Sequence, residues 1–275
     1  MTSPRGKLGA AIVALVLVAS AMPAAASADL APGAFVFDGA VNTVARDPAT
    51  NTTYVGGTFT QELAPTGSGL VLPSGGTGTP DPSSFPHVTG TVNAVVADGA
   101  GGWFVGGQFR TIGGVARSNL AHVLVDGTVD PTWDPAPNFE VDALARAGSI
   151  LYAGGYFNQI GAVTRDGLAA LDTATGAPTP WNPDATDAVK SIAVSGPTVY
   201  VGGDFSAVGG LPRDHIAAID ATTGGATDWD PSASDTVYAL AASGSTVYAS
   251  GQFETIGGRT RSHLAAIDAA TGAAT

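Results

Sequence analysis

Short apolar segments separated by Gly-rich turns recur along this chain at a fixed spacing. The segments Leu151–Phe157 (LYAGGYF), Val199–Phe205 (VYVGGDF) and Val247–Phe253 (VYASGQF) follow one another at intervals of 48 residues. Earlier copies are Thr53–Phe59 and Trp103–Phe109, which are 50 residues apart. A fixed period in this range indicates an array of equivalent supersecondary units. The pattern therefore predicts about five repeats, and none of them shows the 3.6-residue period of an amphipathic helix.

Each repeat is predicted to contain four short strands. The first has the form Val-x-Ala-Leu-Ala, clearest at Val237–Ala241, and its two apolar faces predict that it is covered on both sides. The second is the Tyr-Val-Gly-Gly motif with its anchoring Phe, and the third, Leu168–Asp172 in one copy, leads into an Asp-x-x-Thr-Gly turn. The fourth is short and ends in Trp. The repeats begin at Val41, Val92, Val141, Val189 and Val237.

Four antiparallel strands in about 48 residues match one blade of a β-propeller. The sequence thus predicts an all-β propeller of four-stranded antiparallel blades over residues 29–275, and a β-solenoid is the alternative. The last repeat stops two residues before its expected Trp. Either residues 30–40, which contain Phe35-Val36-Phe37, supply the missing outer strand, or the chain is part of a longer protein with more blades or further domains beyond Thr275.

Residues 1–28 have the form of a secretory signal peptide. Arg5 and Lys7 make a basic head, residues 8–19 are apolar, and Ala26-Ser27-Ala28 has the small-x-small form of a cleavage site. The apolar run is too short to span a bilayer comfortably. A buried N-terminal helix is the alternative, but we expect export to the extracellular space or the cell surface.

Charge and cysteine content narrow the range of functions. The chain has 23 acidic and 11 basic residues, and its formal net charge is −12. Nucleic acids and anionic lipids need basic surfaces, so neither is an expected partner. The absence of cysteine excludes disulfides, thiolate catalysis and Cys-ligated zinc or iron–sulfur sites. After the leader, no apolar run reaches transmembrane length.

Two sets of recurring residues are interpreted as structural anchors. One Arg per repeat is expected to stack on the blade Trp or to bond the Asp of the same turn. The anchors are Arg117, Arg165, Arg213, Arg261, Trp133, Trp181 and Trp229. Asp172 and its copies Asp220 and Asp268 are expected to cap turns, since one carboxylate per loop is too few for calcium. No metal site is predicted, although the group Asp126, Asp130 and Asp134 and the pair His215 and His263 are minor alternatives.

Parts of the repeat resemble two known families. Arg117–Trp133, which contains Asp126-Gly127-Thr128-Val129-Asp130 ahead of its aromatic, resembles the Delta-60 repeat of bacterial extracellular proteins. That resemblance implies a propeller-like fold and a secreted or surface setting, without a settled activity. Ala170–Trp181 also resembles the quinoprotein-type repeat. The latter pattern fixes blade packing and is shared by enzymes and scaffolds, so it implies no cofactor.

The polar positions on either side of the anchoring Phe differ from repeat to repeat. Packing keeps scaffold positions alike, whereas positions on a loop face are free to drift or to specialise. The predicted ligand-binding residues are therefore Gln108, Arg110, Tyr156, Asn158, Asp204, Gln252 and Glu254.

No catalytic motif accompanies the repeat: the Gly-x-Ser-x-Gly elbow and the His-Glu-x-x-His pair are both absent. The sequence favours a secreted, non-enzymatic propeller that binds an extracellular glycan or protein. Two alternatives stay open at this point, namely a quinoprotein-like or glycan-active enzyme and a structural spacer within a larger surface protein.

Overall fold

The computed structural model describes residues 40–47, 52–58, 61–62, 64–65, 69–72 and 85–275. All regular secondary structure in these ranges is β, and they contain no helix long and apolar enough to cross a membrane. The predicted signal peptide and the Phe35-Val36-Phe37 segment lie outside the described residues.

The strands form five units with the same order. The strands of units 1 and 2 are β1 (Val41–Asp47), β2 (Thr52–Gly57), β3 (Gln61–Glu62), β4 (Ala64–Pro65), β5 (Gly69–Leu72), β6 (Val88–Ala97), β7 (Trp103–Ile112), β8 (Val115–Ala116) and β9 (Leu120–Val123). The strands of units 3 to 5 are β10 (Val141–Ala147), β11 (Ile150–Gly155), β12 (Gln159–Ile160), β13 (Val163–Thr164), β14 (Leu168–Asp172), β15 (Val189–Ser195), β16 (Thr198–Gly203), β17 (Ala207–Val208), β18 (Leu211–Pro212), β19 (Ile216–Asp220), β20 (Val237–Ser243), β21 (Thr246–Gly251), β22 (Thr255–Ile256), β23 (Arg259–Thr260) and β24 (Leu264–Asp268).

Each unit is an antiparallel sheet of an inner, a middle and an outer strand. The middle strands β2, β7, β11, β16 and β21 pair with an inner strand (β1, β6, β10, β15, β20) on one side and an outer strand (β5, β9, β14, β19, β24) on the other. In unit 4, for example, Val199 faces Val194 on one side and Ile219 on the other. Short hairpins such as β17–β18 follow the middle strands.

The fourth strand that the sequence predicted is much shorter than expected. In units 2 to 5 it is reduced to one isolated bridge to the outer strand, such as Ile219 with Ala226. Two residues explain why pairing stops there in unit 4. The carbonyl of Thr227 accepts a hydrogen bond from Arg213, and Pro231 has no N–H to donate.

The hydrophobic core is divided into layers between successive units. Between units 3 and 4, Tyr152 and Leu168 pack against Val199, Val201 and Phe205 of the next sheet. Equivalent layers join the other neighbouring units, and the inner strands lie side by side from β1 to β20. Each unit therefore depends on its neighbours for burial of its apolar faces.

The first Gly of each Gly-Gly pair makes room for the next unit. A Cβ at Gly202 would lie 2.6 Å from Cγ1 of Val237, and one at Gly154 would lie 2.7 Å from Cγ1 of Val189. Gly56 and Gly106 meet the following Val at 2.6 and 2.7 Å in the same way. Unit 5 carries Ser250 at this position.

We expect Gly202→Ala to lower the free energy of unfolding by about 1–3 kcal/mol, because the added methyl group would force Val237 out of its place. Gly225→Ala is the matched control in the same unit, since a Cβ there would have only the Thr223 hydroxyl within 4 Å, at 3.6 Å. Urea unfolding of both variants measures the effect. Equal stability of the two would show that Gly202 is not a packing constraint.

Candidate ligand site at the axial cavity

The inner strands of all five units line a common axial cavity of about 450 Å³. Each inner strand contributes to the wall the residue that follows its repeat Val, which is Asn in units 1 and 2 and a different residue in each of the other units. These residues are Asn42, Asn93, Asp142, Lys190 and Tyr238. The prediction that the inner strand is covered on both faces is therefore corrected, because strands set around an axis leave space at the centre.

A β-bulge turns these residues toward the cavity. The inner–middle ladder of unit 3 skips from Val141 to Ala143, and every other unit has the same irregularity at the same place. The extra residue of a bulge is unpaired and its side chain is re-aimed. The repeat Val before the bulge residue, such as Val141, is thus buried between units, whereas Asp142 faces the cavity.

Side-chain amides connect the first three units along the wall. The Asn42 Nδ2 atom donates to the carbonyl of Val92 at 3.3 Å and to Oδ1 of Asn93 at 3.4 Å. The Asn93 Nδ2 atom donates to Oδ1 of Asp142 at 2.9 Å. These bonds leave the second carboxyl oxygen of Asp142 without a partner among the described residues.

Lys190 is the centre of a second polar group. Its Nζ atom donates to the Tyr156 hydroxyl at 2.8 Å and lies 3.2 Å from Oδ2 of Asp204. The same Nζ lies 4.6 Å from the centre of the Tyr156 ring. The Tyr156 hydroxyl also bonds Asp204 at 3.2 Å, and Thr236 donates to the other Asp204 oxygen at 2.6 Å.

The two carboxyl groups of the site have opposite pKa shifts. Burial, with the charges of Glu140 and Asp204, raises the pKa of Asp142 to about 6, although Lys190 and Asn93 oppose the rise. Burial also acts to raise the pKa of Asp204, but hydrogen bonds from Thr236 and Lys190 prevail and lower it. Burial acts to lower the pKa of Lys190, but its bonds to Tyr156 and Asp204 raise it. Of these three groups, Asp142 is therefore the one that changes charge at about pH 6.

The structure brings two of the seven predicted ligand-binding residues, Tyr156 and Asp204, into this network. Gln108 and Arg110 instead line a separate surface cavity of about 520 Å³. Asn158 accepts a hydrogen bond from Asn138 at 2.6 Å. Gln252 and Glu254 are exposed on unit 5 and do not line the axial cavity.

Sequence reasoning missed Asn42, Asn93, Asp142 and Lys190 as site residues. The signal was present, because the second position of Val-x-Ala-Leu-Ala is polar in four of the five repeats. The apolar residues around it indicated a fully covered strand, and the bulge that changes the direction of this one position leaves no mark in the hydrophobic pattern.

The repeating Arg residues bind backbone rather than the Asp of the turn. In unit 4, Arg213 donates to the Thr227 carbonyl at 2.6 Å and pairs with Asp230, the residue after the Trp, at 3.5 Å. Arg117, Arg165 and Arg261 donate to equivalent carbonyls at 2.6–2.9 Å. The guanidinium groups therefore hold the segment that carries the Trp and do not form a ring of anion-binding sites.

The Trp residues join neighbouring units. Trp181 packs edge-on against Tyr152 of unit 3, with ring centres 5.1 Å apart, and its Nε1 donates to the Asp220 carbonyl of unit 4. Trp229 repeats both contacts with Tyr200 and Asp268. Trp133 packs on Phe104. In unit 1, Phe85 stands in the Trp position and packs on Tyr54 at 4.5 Å.

The minor metal hypotheses do not fit the geometry. Asp126 caps Thr128, Asp130 faces His122, and Asp134 faces Arg117, so the three carboxylates do not converge. His215 and His263 both have positive φ, and each ring faces a carbonyl of its own unit. The described residues contain no group of three or more His, Cys, Asp or Glu arranged to hold a metal ion.

The turn residues Asp172, Asp220 and Asp268 bond their own loops. The Oδ1 atom of Asp220, for example, accepts from the amides of Thr222 and Thr223 and from the Thr223 hydroxyl. These bonds lower the pKa of each of the three carboxyls. The turns thereby use the carboxylates internally, as the sequence predicted.

His122 occupies a position where units 3 to 5 have Ala. Its two ring nitrogens face Asp98 and Asp130, each at 3.1 Å. The ring stacks on Phe104 with centres 4.5 Å apart. This partly buried cluster ties the outer strand of unit 2 to two loops, and nothing in the repeat pattern predicted it.

Comparison with known proteins defines the class of fold. No protein-family model and no curated protein sequence matches the chain. Among solved structures, the WD40 β-propeller domain of Doa1 matches 86% of this chain over 67% of its own length, with a TM-score of 0.58 and 13% identity. The Neurospora crassa Pan2 WD40 domain matches 86% of this chain with a TM-score of 0.55 and 11% identity, and the chain spans 65% of that domain.

A chain in a nidogen/laminin complex is also similar, with a TM-score of 0.56, 10% identity and coverage of 86% of this chain and 79% of its own. At these identities the likeness bears on the fold alone. The protein is an all-β repeat protein with the β-propeller fold, and the fold predicted from the 48-residue period is confirmed.

The raised pKa of Asp142 predicts a pH-dependent stability difference. The unfolded carboxyl has a pKa near 3.9, so the folded state holds the proton more tightly and the Asp142 contribution to stability falls as pH rises from about 4 to about 7. Asp142→Asn cannot ionise. Its free energy of unfolding relative to the native protein should therefore increase by about 1 kcal/mol between pH 5 and pH 8.

Chemical denaturation at several pH values provides the measurement. Asp228→Asn, at an exposed position, controls for the removal of one negative charge from an acidic protein. The free energy of unfolding of Asp142→Asn is compared with that of the native protein at each pH. If this difference stays constant with pH, the assignment of Asp142 as the titrating group is contradicted.

Proposed function

We propose that this chain is a secreted, non-enzymatic β-propeller that binds an extracellular saccharide in its axial cavity. The observation that carries the proposal is the composition of the wall, where Asn42, Asn93, Asp142 and Lys190 follow one another around the axis. Amide, carboxyl and ammonium groups in one row match the hydroxyl groups of a sugar. The cavity volume is in the range of small-molecule sites.

Tyr238 adds an aromatic surface to the polar wall. It holds the same position in unit 5 as Lys190 in unit 4, and 38% of its surface is exposed. A tyrosine ring offers an apolar face together with a polar hydroxyl. This combination suits a ligand that has both apolar ring faces and hydroxyl groups, and it favours a saccharide over a protein surface.

The secreted setting is supported by the form of residues 1–28 and by the resemblance to the Delta-60 repeat. We expect the protein recovered from the medium of an exporting host to begin at Asp29, with intact-mass spectrometry as the measurement. Retention of residues 1–28 in a protein that stays inside the cell would contradict the proposed secretion.

Calorimetric titration of the purified chain with neutral and acidic oligosaccharides tests the binding. Asn93→Leu removes the amide but keeps the side-chain size, and we expect it to weaken binding about tenfold through the lost hydrogen bonds. Glu254→Gln, outside the axial cavity, is the control and should bind like the native chain. Native-like affinity of Asn93→Leu would contradict the proposal.

A glycan-active enzyme is the second candidate, and one observation favours it. Asp142 and Asp204 flank Lys190 with pKa shifts in opposite directions, which is how sites with an acid and a base divide their roles. Release of reducing ends from a bound oligosaccharide, abolished in Asp142→Asn, would support this candidate. Binding without turnover would leave the non-enzymatic proposal in place.

A further inference from the structure

A second cavity lies at the surface between units 2 and 3, and we call it the unit 2–3 cleft. It has a volume of about 520 Å³, and it is lined by the end of β7 and by the loop that leads into β10. Arg110 of β7 and Phe139 of the loop both line it and both are exposed, Phe139 over 58% of its surface. An exposed aromatic ring and an exposed guanidinium group in one cavity are not required by the packing of the sheets.

A β-bulge directs Arg110 out of the ladder between β6 and β7. Phe109 and Thr111 pair with adjacent residues of β6, so Arg110 is the extra residue between them. The side chain of such a residue leaves the regular alternation of the strand. The other arginine of unit 2, Arg117, is only 7% exposed. Arg110 is therefore the arginine of this unit that a ligand can reach.

Asn119 joins the two walls of the cleft. Its Oδ1 atom accepts a hydrogen bond from the amide of Phe109 in β7 at 3.2 Å, and its Nδ2 atom donates to the carbonyl of Pro137 in the loop at 3.1 Å. The Nδ2 atom of Asn138 ties the same loop to Oδ1 of Asn158 in unit 3 at 2.6 Å. The loop is thus held on both sides, and a cleft formed in advance saves the cost of ordering it on binding.

Two positions that are acidic between later units are neutral in this cleft. They hold Ser118 and Phe139, which both line it. Their equivalents between units 3 and 4, and between units 4 and 5, are Asp166, Asp187, Asp214 and Asp235. The first two of these aspartates line a smaller cavity of about 270 Å³. In a chain of formal net charge −12, the unit 2–3 cleft therefore repels an anion least of the three places compared.

Glu140 is the one carboxylate among the residues that line the unit 2–3 cleft. Its charge also acts on the axial cavity, where it helps to raise the pKa of Asp142. The guanidinium group of Arg110 balances Glu140, so the charges of the lining cancel. The cavity between units 3 and 4 has two carboxylates in its lining and no basic residue to balance them.

We infer that the unit 2–3 cleft binds an acidic saccharide, with Arg110 on a carboxylate of the ligand and Phe139 against the apolar face of a sugar ring. A guanidinium group binds a carboxylate through two parallel hydrogen bonds. The Gln108 amide and the Ser118 hydroxyl line the same cleft and match the hydroxyl groups of a sugar. This site shares no lining residue with the axial cavity, so it does not rest on the function proposed for that cavity.

The cleft suits a saccharide better than an extended peptide. A peptide that adds a strand to a sheet needs a free strand edge. The strand β7, which carries Gln108 and Arg110, pairs with β6 on one side and with β8 on the other. The cleft instead offers guanidinium, amide and hydroxyl groups of side chains, and these fit the separate carboxylate and hydroxyl groups of an acidic sugar.

Calorimetric titration of the purified full chain with tetragalacturonate and with its methyl ester tests the inference, because the ester lacks the charge. We expect tetragalacturonate to bind at least about tenfold more tightly than the ester. Arg110→Gln should weaken its binding about tenfold. Phe139→Asp, which introduces the residue that units 4 and 5 have at this position, should abolish it. Arg259→Gln removes an exposed arginine from the unit 5 hairpin, and as the matched control it should bind like the native chain.

Four results would overturn the inference. Equal losses in Arg110→Gln and Arg259→Gln would indicate attraction by overall charge. Weaker binding in Asn93→Leu with native-like binding in Arg110→Gln would place the ligand in the axial cavity, which supports the proposed function but not this site. An acidic peptide of the same charge that binds as tightly, and depends on Arg110, would replace the saccharide as the ligand class. The fourth result is the absence of heat of binding up to ~10 mM tetragalacturonate.

Discussion

The close approach of neighbouring sheets is the constraint on which the rest of this structure depends. In units 2 to 5 a Val of the inner strand enters the space left by a Gly of the preceding unit, and no side chain larger than hydrogen fits there without displacement. Only at this separation do the aromatic residues of one sheet and the alternating Val and Ala residues of the next exclude water from a common layer. The stability of each unit is therefore shared with its neighbours.

The same constraint creates the axial cavity. The inner strands must lie side by side for their Val residues to enter the Gly spaces, and the five strands line a volume that their own side chains do not fill. The bulge beside each Val then directs one further residue per unit into that volume. Packing fixes the Val and the Gly, but it places no demand on the residue at the bulge. That residue is free to be Asn, Asp, Lys or Tyr, and the site is built from it.

The period, the order of the strands and the class of fold were predictable from the sequence because packing repeats them in every unit. The outer strand Leu168–Asp172 has the predicted bounds, and the aromatic anchors recur where the pattern places them. Asp142 and Lys190 were not predictable as a site, since their roles depend on a bulge and on contacts between side chains of different units, as in Lys190 with Tyr156, which is 34 residues away. The shortness of the fourth strand has a similar origin, because in unit 4 Arg213 binds a carbonyl that a longer ladder would otherwise use.

Departures from the repeat are where this molecule differs from a uniform scaffold. His122 replaces an Ala and brings two carboxylates together around one imidazole, which gives unit 2 an attachment that the other units lack. Ser250 stands where the other four units have the Gly that makes room for the Val of the next unit. The residue at the bulge varies between units. Together these residues give the cavity a polar wall that ends in the aromatic ring of Tyr238. A position that is kept constant by packing is explained by the contact between units alone. The positions free of that demand are the ones that differ between units and form the polar wall of the cavity.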